Sequence, residues 1–361
     1  MPQGFFEQPM NNKNNTSTKR PTIASVAEQA RLSVATVDRV LNGRAPVNPD
    51  TAQKVYEAAE AVGYFAARLI SQRINEKKPA WHFGFLLLGT SQTFYSSLSE
   101  AIVDQARRTH SAHIACHVEL IHDRSPQSIA TQIHQLAERC QCLALVSFEH
   151  PLILDAIEAV RLKGVRVVSL LTDLPTREPG AYVGVDNHEV GRTAGWLIAH
   201  GAKSGTGSVA VMLGGHRFLG HEKREAGLRS FFEEKAPGFR VLPTVITMDN
   251  GAISEEATLD LLARHPDLCG LYVAGGGVEG VVSALAASPD RPPMCVILQE
   301  STQESRQAMR KGLVTLAIDS QPALIAQALI ELMLELPGVE VIDPQRHRVF
   351  VPLQIVTPEN F

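Results

Sequence analysis

The chain has 361 residues, too many for one ordinary domain, and its 44% hydrophobic and 20% charged content is that of a soluble globular protein with room for two or three cores. No run of 18 apolar residues occurs, and the first twenty residues lack the apolar stretch of a leader peptide, so neither a membrane protein nor an exported one is expected and the address is read as cytoplasmic. The net charge of −4 divides unevenly: residues 1–78 carry eleven Lys and Arg against seven Asp and Glu, while the remainder is acidic, which suits a protein that brings one end alone to phosphates.

Residues 1–20, rich in Asn, Gln, Lys, Thr and Ser without an apolar period, are expected to be disordered. Across 21–64 the pattern becomes three short helices. Thr22 caps the first through Ala30, Ser33 caps the second through Leu41 with Asn42-Gly43 as its stop, and Asn48-Pro49 opens a third that Gly63 closes. Spacings of three and four let Val26, Ala30, Leu32, Val37, Val40, Leu41, Val47, Val55 and Val62 meet in one small core.

From residue 80 to 361 the style changes. Apolar runs at His82–Leu88, Ile114–Ile121, Cys142–Phe148 and Val165–Leu171 alternate with helical segments near 97–109, 125–138 and 152–163. A second series has strands at 208–213, 241–247, 270–273, 294–298 and 315–318, with helices between them and a last helix near 321–335. This is the signature of an α/β fold: two doubly wound parallel sheets in series, with a cleft between them and ligand specificity in the strand-end loops.

The run TIASVAEQARLSVATVDRVLNGRAPVNPDTAQKVYEAAEAVGY, Thr22 to Tyr64, resembles the helix-turn-helix headpiece of the LacI/GalR family, and the two following lobes resemble that family's periplasmic-binding-protein-like effector domain. The most specific part is the spacing of Thr22, Val26, Ala27, Ala30, Ser33, Thr36, Val37, Arg39, Val40, Asn42, Val47, Thr51, Val55 and Gly63-Tyr64. The resemblance implies a transcription regulator, a repressor by type, that binds a pseudo-palindromic operator on double-stranded DNA as a homodimer and responds to a small sugar-like effector.

The physical reading of the headpiece agrees. A helix opening at Ser33 offers Val34 and Ala35 at the end that meets base edges, for apolar contact such as a thymine methyl. One turn later Arg39 has the reach to donate two hydrogen bonds to a guanine, worth about 1 to 3 kcal/mol of discrimination; otherwise it is a solvated surface arginine. Thr22, Ser33, Thr36, Asn42, Asn48 and Thr51 complete the expected DNA-contacting set as phosphate ligands, a role compatible with helix capping because both use the same helix end. Two departures stand out. Arg31 occupies a turn position where the family has Gly, and Asp38 places a carboxylate beside Arg39.

Residues 65–79 are expected to form a hinge helix and linker. Phe65 to Ile74 resembles the family's minor-groove hinge, in which a leucine wedges between central base steps. Here Arg73 takes that leucine's place, so either Ile70 or Ile74 is the wedge, or Arg73 enters the groove by charge.

For the effector, Gln92, Phe94 and Tyr95 follow the first strand, where sugar-binding relatives place stacking aromatics, and Thr172-Asp173 ends the fourth. Glu300 and Asp319 end two strands of the second lobe and suit ligand hydroxyls; as an acidic pair they favour neutral or cationic ligands over anionic ones. In HEKREAG, Glu222 stands where relatives carry a ligand-gripping Arg, with Arg224 two residues on, and Gly275 lies in AGGGVEG, which replaces a common Asn-Asp pair. Asp186 and Asn187 are expected to be structural. That glycine run lacks the GxGxxG spacing of a nucleotide loop.

Five cysteines is an odd number, and Cys140 and Cys142 stand one residue apart, so neither a disulfide framework nor a CxxC metal site is expected. Thirteen histidines show no HExxH spacing and no GxSxG occurs, so no catalytic residue, metal or cofactor is expected. The alternative function is solute capture for a transport system, against which the headpiece and the absent leader weigh.

Overall fold

A computed structural model describes residues 20–42, 47–67, 78–89, 93–178, 180–202, 205–215 and 217–361. The expectations for residues 1–19, for most of the hinge including Ile70 and Arg73, and for Gln92 lie outside the described residues. The chain forms two units, residues 1–79 with 110–113 and the remainder.

In the first unit, α1 spans Ile23–Ala30, α2 Val34–Asn42 and α3 Pro49–Ala61. Each start follows its capping residue. Thr22 and Ser25 close a reciprocal box, the Thr22 amide donating to Ser25 Oγ at 2.8 Å and the Ser25 amide to Thr22 Oγ1 at 3.4 Å. The Thr36 amide donates to Ser33 Oγ at 3.1 Å, and the Asp50 amide to Asn48 Oδ1 at 2.8 Å. Arg31, the departure from glycine, sits at φ 55° and ψ 41°, the left-handed conformation that the turn demands. Val26, Ala27, Val37, Leu41, Val55, Ala58 and Ala59 form the core, as helical spacing foretold for four of them.

The second unit contains two sheets. The strands are β1 Ala80–Leu88, β2 His113–Ile121, β3 Cys142–Leu145, β4 Arg166–Leu170 and β5 Ala181–Gly184. Then come β6 Gly207–Leu213, β7 Phe239–Val241, β8 Val245–Ile246, β9 Leu268–Val273, β10 Cys295–Gln299, β11 Leu316–Asp319, β12 Arg348–Phe350 and β13 Gln354–Val356. Lobe one has the order β12-β5-β4-β3-β1-β2, and lobe two β13-β11-β10-β9-β6-β7 with β8 also against β6. Strands 83–88, 142–145 and 268–273 are buried along their whole length, which explains their unbroken apolar runs: helices cover both faces.

The helices are α4 Thr93–Arg108, α5 Pro126–Ala137 and α6 Pro151–Leu162 in lobe one, then α7 Asn187–Gly201, α8 Leu219–Lys235, α9 Gly251–Arg264, α10 Val278–Ala287 and α11 Gln303–Arg310 in lobe two. The last, α12 Pro322–Glu335, returns to lobe one, where Ile325, Ala326, Leu329 and Met333 join that core. The chain therefore passes between lobes after β5, after β11 and between β12 and β13.

The expected strand 241–247 is two short strands, because Pro243 has no amide to give a neighbour. β5, which was not among the expected strands, is a full sheet member, and β12 and β13 add one strand to each sheet.

Candidate effector cavity and DNA-reading face

In the headpiece, α2 turns Val37 and Leu41 inward and leaves Ser33, Val34, Ala35 and Arg39 exposed, Val34 at 52%. Val34 and Ala35 thus stand on solvent in the first turn of α2. Thr22, Ser33 and Asn48 act as caps, and Ser33 Oγ also lies 2.8 Å from Thr36 Oγ1. Asn42 Nδ2 donates to Asp38 Oδ1 at 2.6 Å, which ties up one of its two amide donors and directs Asp38 along the helix. Thr51 is half-buried on the first turn of α3.

In the second unit the carboxyl ends of both sheets face a cavity of about 290 Å³. Lobe one contributes Leu88, Thr93, Phe94, Tyr95, Val146, Leu171 and Thr172; lobe two contributes Phe218, His221, Arg224, Asp249, the Gly275-Gly276 backbone, Gln299 and Glu300, with Glu279 and Glu304 at the exposed mouth. Three of the lining residues have left-handed backbones, Leu171 at φ 64°, Asp249 at φ 52° and Glu300 at φ 70°. Non-glycine residues are held so only where the surroundings over-determine them, and such strain concentrates at ligand sites.

Arg224 is the central post. It is 8% exposed; its Nε donates to Asn187 Oδ1 at 2.7 Å and its Nη1 to the Ala274 carbonyl at 2.9 Å. Asn187 in turn donates to the Leu171 carbonyl at 2.9 Å, so one network joins the first turn of α7, the end of β9 and the end of β4. The structural role expected of Asp186 and Asn187 fits this: Asp186 caps α7 through the amides of His188 and Glu189.

Glu300 receives Ser320 Oγ at 2.6 Å, the Ser320 amide at 3.0 Å and Gln299 Nε2 at 3.2 Å, while Tyr272 donates to Gln299 Oε1 at 2.9 Å. Burial, with Asp319 behind it, pushes its pKa up to about 7 although Arg224 and the Ser320 donors pull it down. His221 is driven down to about 4 by burial and by Arg224, so it is neutral near pH 7; its Nδ1 donates to the Gly215 carbonyl at 3.3 Å. Burial, then Asp249 and Glu300, raise Tyr95 and keep its hydroxyl protonated.

The two lobes meet across this cavity. Arg124 Nη1 pairs with Asp249 Oδ2 at 3.3 Å, Thr93 Oγ1 donates to Glu304 Oε2 at 3.3 Å, and the Gly220 amide donates to Thr172 Oγ1 at 3.0 Å. Phe148 and Phe218 stack edge to face at 5.8 Å, with the Arg217 guanidinium 5.3 Å from the Phe148 ring centre.

Of the effector residues expected from sequence, Phe94, Tyr95, Arg224, Gly275 and Glu300 line the cavity. Asp173 does not: it is taken by Arg348 Nη2 at 2.7 Å and lies 3.8 Å from Lys223, a strut inside the scaffold. Glu222 is exposed on α8, one position past His221, because the helix turns Arg224 inward instead. Asp319 does not line the cavity: it accepts the Ser301 amide at 3.2 Å and, with Arg306 and Arg310, borders an adjoining polar recess that shares Thr93, Phe94 and Glu300 with it, and its charge raises Glu300. Sequence reading passed over His221, Asp249, Gln299 and Phe218. His221 stood in the HEKREAG run, and Asp249 lies two residues past the strand expected at 241–247, where nothing local marks it as facing the cavity.

The periplasmic binding protein domain model matches residues 83–337, and the model described as bacterial regulatory proteins, lacI family, matches residues 22–66. The catabolite control protein A of Priestia megaterium is 38% identical over 85 residues, 24% of this chain and 25% of that protein. The transcriptional regulator GalS of Salmonella typhimurium is 30% identical over 129 residues, 35% of this chain and 36% of that one. With both, the matched stretch spans no more than about a third of the relative's length. Among solved structures, the glucose-galactose binding protein GanP of Geobacillus stearothermophilus superposes with a TM-score of 0.69 at 16% identity, covering 78% of this chain and 99% of that one. A solute-binding protein of Actinobacillus succinogenes with bound D-allose gives 0.68 at 17% identity, covering 78% and 98%. At these identities the likeness is one of fold.

Proposed function

This chain belongs to the periplasmic binding protein domain family through residues 83–337 and carries a lacI-family regulatory domain at 22–66, and from that premise we propose that it is an effector-responsive repressor: α2 reads operator DNA, and the interlobe cavity takes a sugar-like ligand that alters operator affinity. The observation that carries this reading is the pairing of an exposed recognition face with a cavity whose polar groups sit at strand ends of both lobes, so that a ligand touching both changes how they close. A solute carrier of a transport system would need the cavity but not the headpiece. The relatives named as regulators and the structures with bound sugars support the two halves separately.

The DNA half is tested by a gel shift with genomic fragments and by Arg39→Ala. Loss of one bidentate base contact is expected to cost about 1 to 3 kcal/mol of discrimination between operator and random duplex, with binding to random duplex little changed. Equal losses on both duplexes remove Arg39 from base reading.

We propose further that the protein works as a homodimer, because a headpiece of this size gains affinity by holding two half-sites at once. Light scattering is expected to give twice the 39.2 kDa chain mass; a stable tetramer in dilute solution overturns this.

A further inference from the structure

We propose that the effector carries a protonated amine on its sugar-like frame. This rests on the reading of the cavity as the effector site and adds the ligand's charge class.

Two carboxylates, Asp249 and Glu300, stand within the cavity, and two more, Glu279 and Glu304, ring its mouth. Against them the one guanidinium among the described lining residues is Arg224, whose Nε and Nη1 donate to the neutral acceptors Asn187 and Ala274 and so leave its charge in place. Arg124 answers Asp249 from outside the lining at 3.3 Å, and His221 brings no charge near neutral pH. Four carboxylates therefore face two guanidiniums, Arg224 and Arg124, and the wall keeps a negative excess. Glu300 stands in that wall: burial, then Asp319, push its carboxyl up to about 7 despite three hydrogen bonds and Arg224 nearby, so its anionic form gains from a cation brought by the ligand.

An anionic ligand finds one lining guanidinium, Arg224, against four carboxylates. A neutral sugar satisfies hydroxyl geometry but leaves the charge unanswered. A bare metal ion is a poor match, since among the described residues no three of His, Cys, Asp and Glu come together as ligands would. The aromatic rings of Phe94, Tyr95 and Phe218 and the aliphatic surface of Leu88 and Leu171 call for a carbon frame, and ring faces also favour a cation close to them.

The test uses the full chain and matched pairs: a hexose against its 2-amino-2-deoxy form, and a polyol against its amino-polyol, measured by calorimetry near neutral pH. The amine of at least one pair is expected to bind about tenfold tighter than its neutral partner, since one incompletely answered buried carboxylate supplies an interaction of that order. Glu300→Gln is expected to erase the difference within the pair. In the parent, the difference is expected to shrink as pH falls through about 7, because the proton then competes with the amine for Glu300. Should Glu300→Gln not fold, Glu279→Gln at the exposed mouth gives a smaller loss of the same sign. Neutral members binding as tightly as amines, or a sugar phosphate binding tighter than either, overturns the charge class and leaves the effector site standing. If neither member of any pair binds, the charge class and the sugar-like reading fall together.

Discussion

Arg224→Ala is expected to lower the stability of the second unit by about 3 kcal/mol, from two charge-assisted hydrogen bonds worth about 1.5 kcal/mol each at the least. The bonds go to Asn187 and to the Ala274 carbonyl, and the residue is 8% exposed, so truncation leaves two buried acceptors without their charged donor. Asn187 would keep its bond to Leu171 but lose the restraint on its other end. Ligand affinity should fall along with stability, because Arg224 lines the cavity and fixes its walls through Asn187 and Ala274. Urea unfolding followed by calorimetry with the ligand that the parent binds separates the two losses. The headpiece has its own core, so operator binding in the absence of ligand should persist. A variant that unfolds at the parent's midpoint and binds ligand normally would show that this network is ornament rather than frame. Arg224→Lys is a useful intermediate: it keeps the charge but cannot serve two acceptors from one rigid plane, so it should retain stability better than affinity.

How much of this was legible in the sequence depended on whether a feature is local. The caps at Thr22, Ser33 and Asn48, the left-handed turn at Arg31 and the alternation of buried strands with amphipathic helices are all encoded within a few residues, and reading them sufficed for the fold. The cavity is not local. Asp173 and Glu300 look alike in sequence, each a carboxylate where a strand ends, yet Arg348, far along the chain on β12, claims the first and leaves the second to the cavity. Glu222 and Arg224 are two positions apart on one helix, which places them about 200° apart around its axis, and only the packing of α8 on α7 decides which faces in. Asp249 was hidden for a related reason: it lies two residues past the strand expected at 241–247, and only its long-range contacts, with Arg124 of lobe one and the Gly276 amide, bring it to the cavity.

That packing of α7 on α8 has its own sequence basis, and it yields the second large effect. Gly191→Ala is expected to destabilise the second unit by about 2 to 3 kcal/mol, near the top of the ordinary range for overpacking. A Cβ built on Gly191 would lie 1.9 Å from the carbonyl oxygen of Arg224, and one on Gly227 would lie 2.1 Å from that of His188, so the two helices touch backbone to backbone. Backbone cannot step aside as a side chain can, and alanine's helix preference of about 1 kcal/mol over glycine does not offset the clash. The same helix holds graded controls. At Gly195 the added methyl would meet the Phe231 ring at 2.9 Å, a group able to shift, and at the exposed Gly201 it would meet Cys295 at an ordinary 3.4 Å. Destabilisation in urea should therefore run Gly191→Ala, Gly195→Ala, Gly201→Ala, from large to negligible or slightly favourable. Because the clash at Gly191 falls on the peptide of Arg224 itself, relief by separating the helices moves the guanidinium away from Asn187, and ligand affinity should fall along with stability at this position. Equal stability across the three alanine variants would mean that α7 and α8 do not approach this closely, and that something other than this contact turns Arg224 toward the cavity.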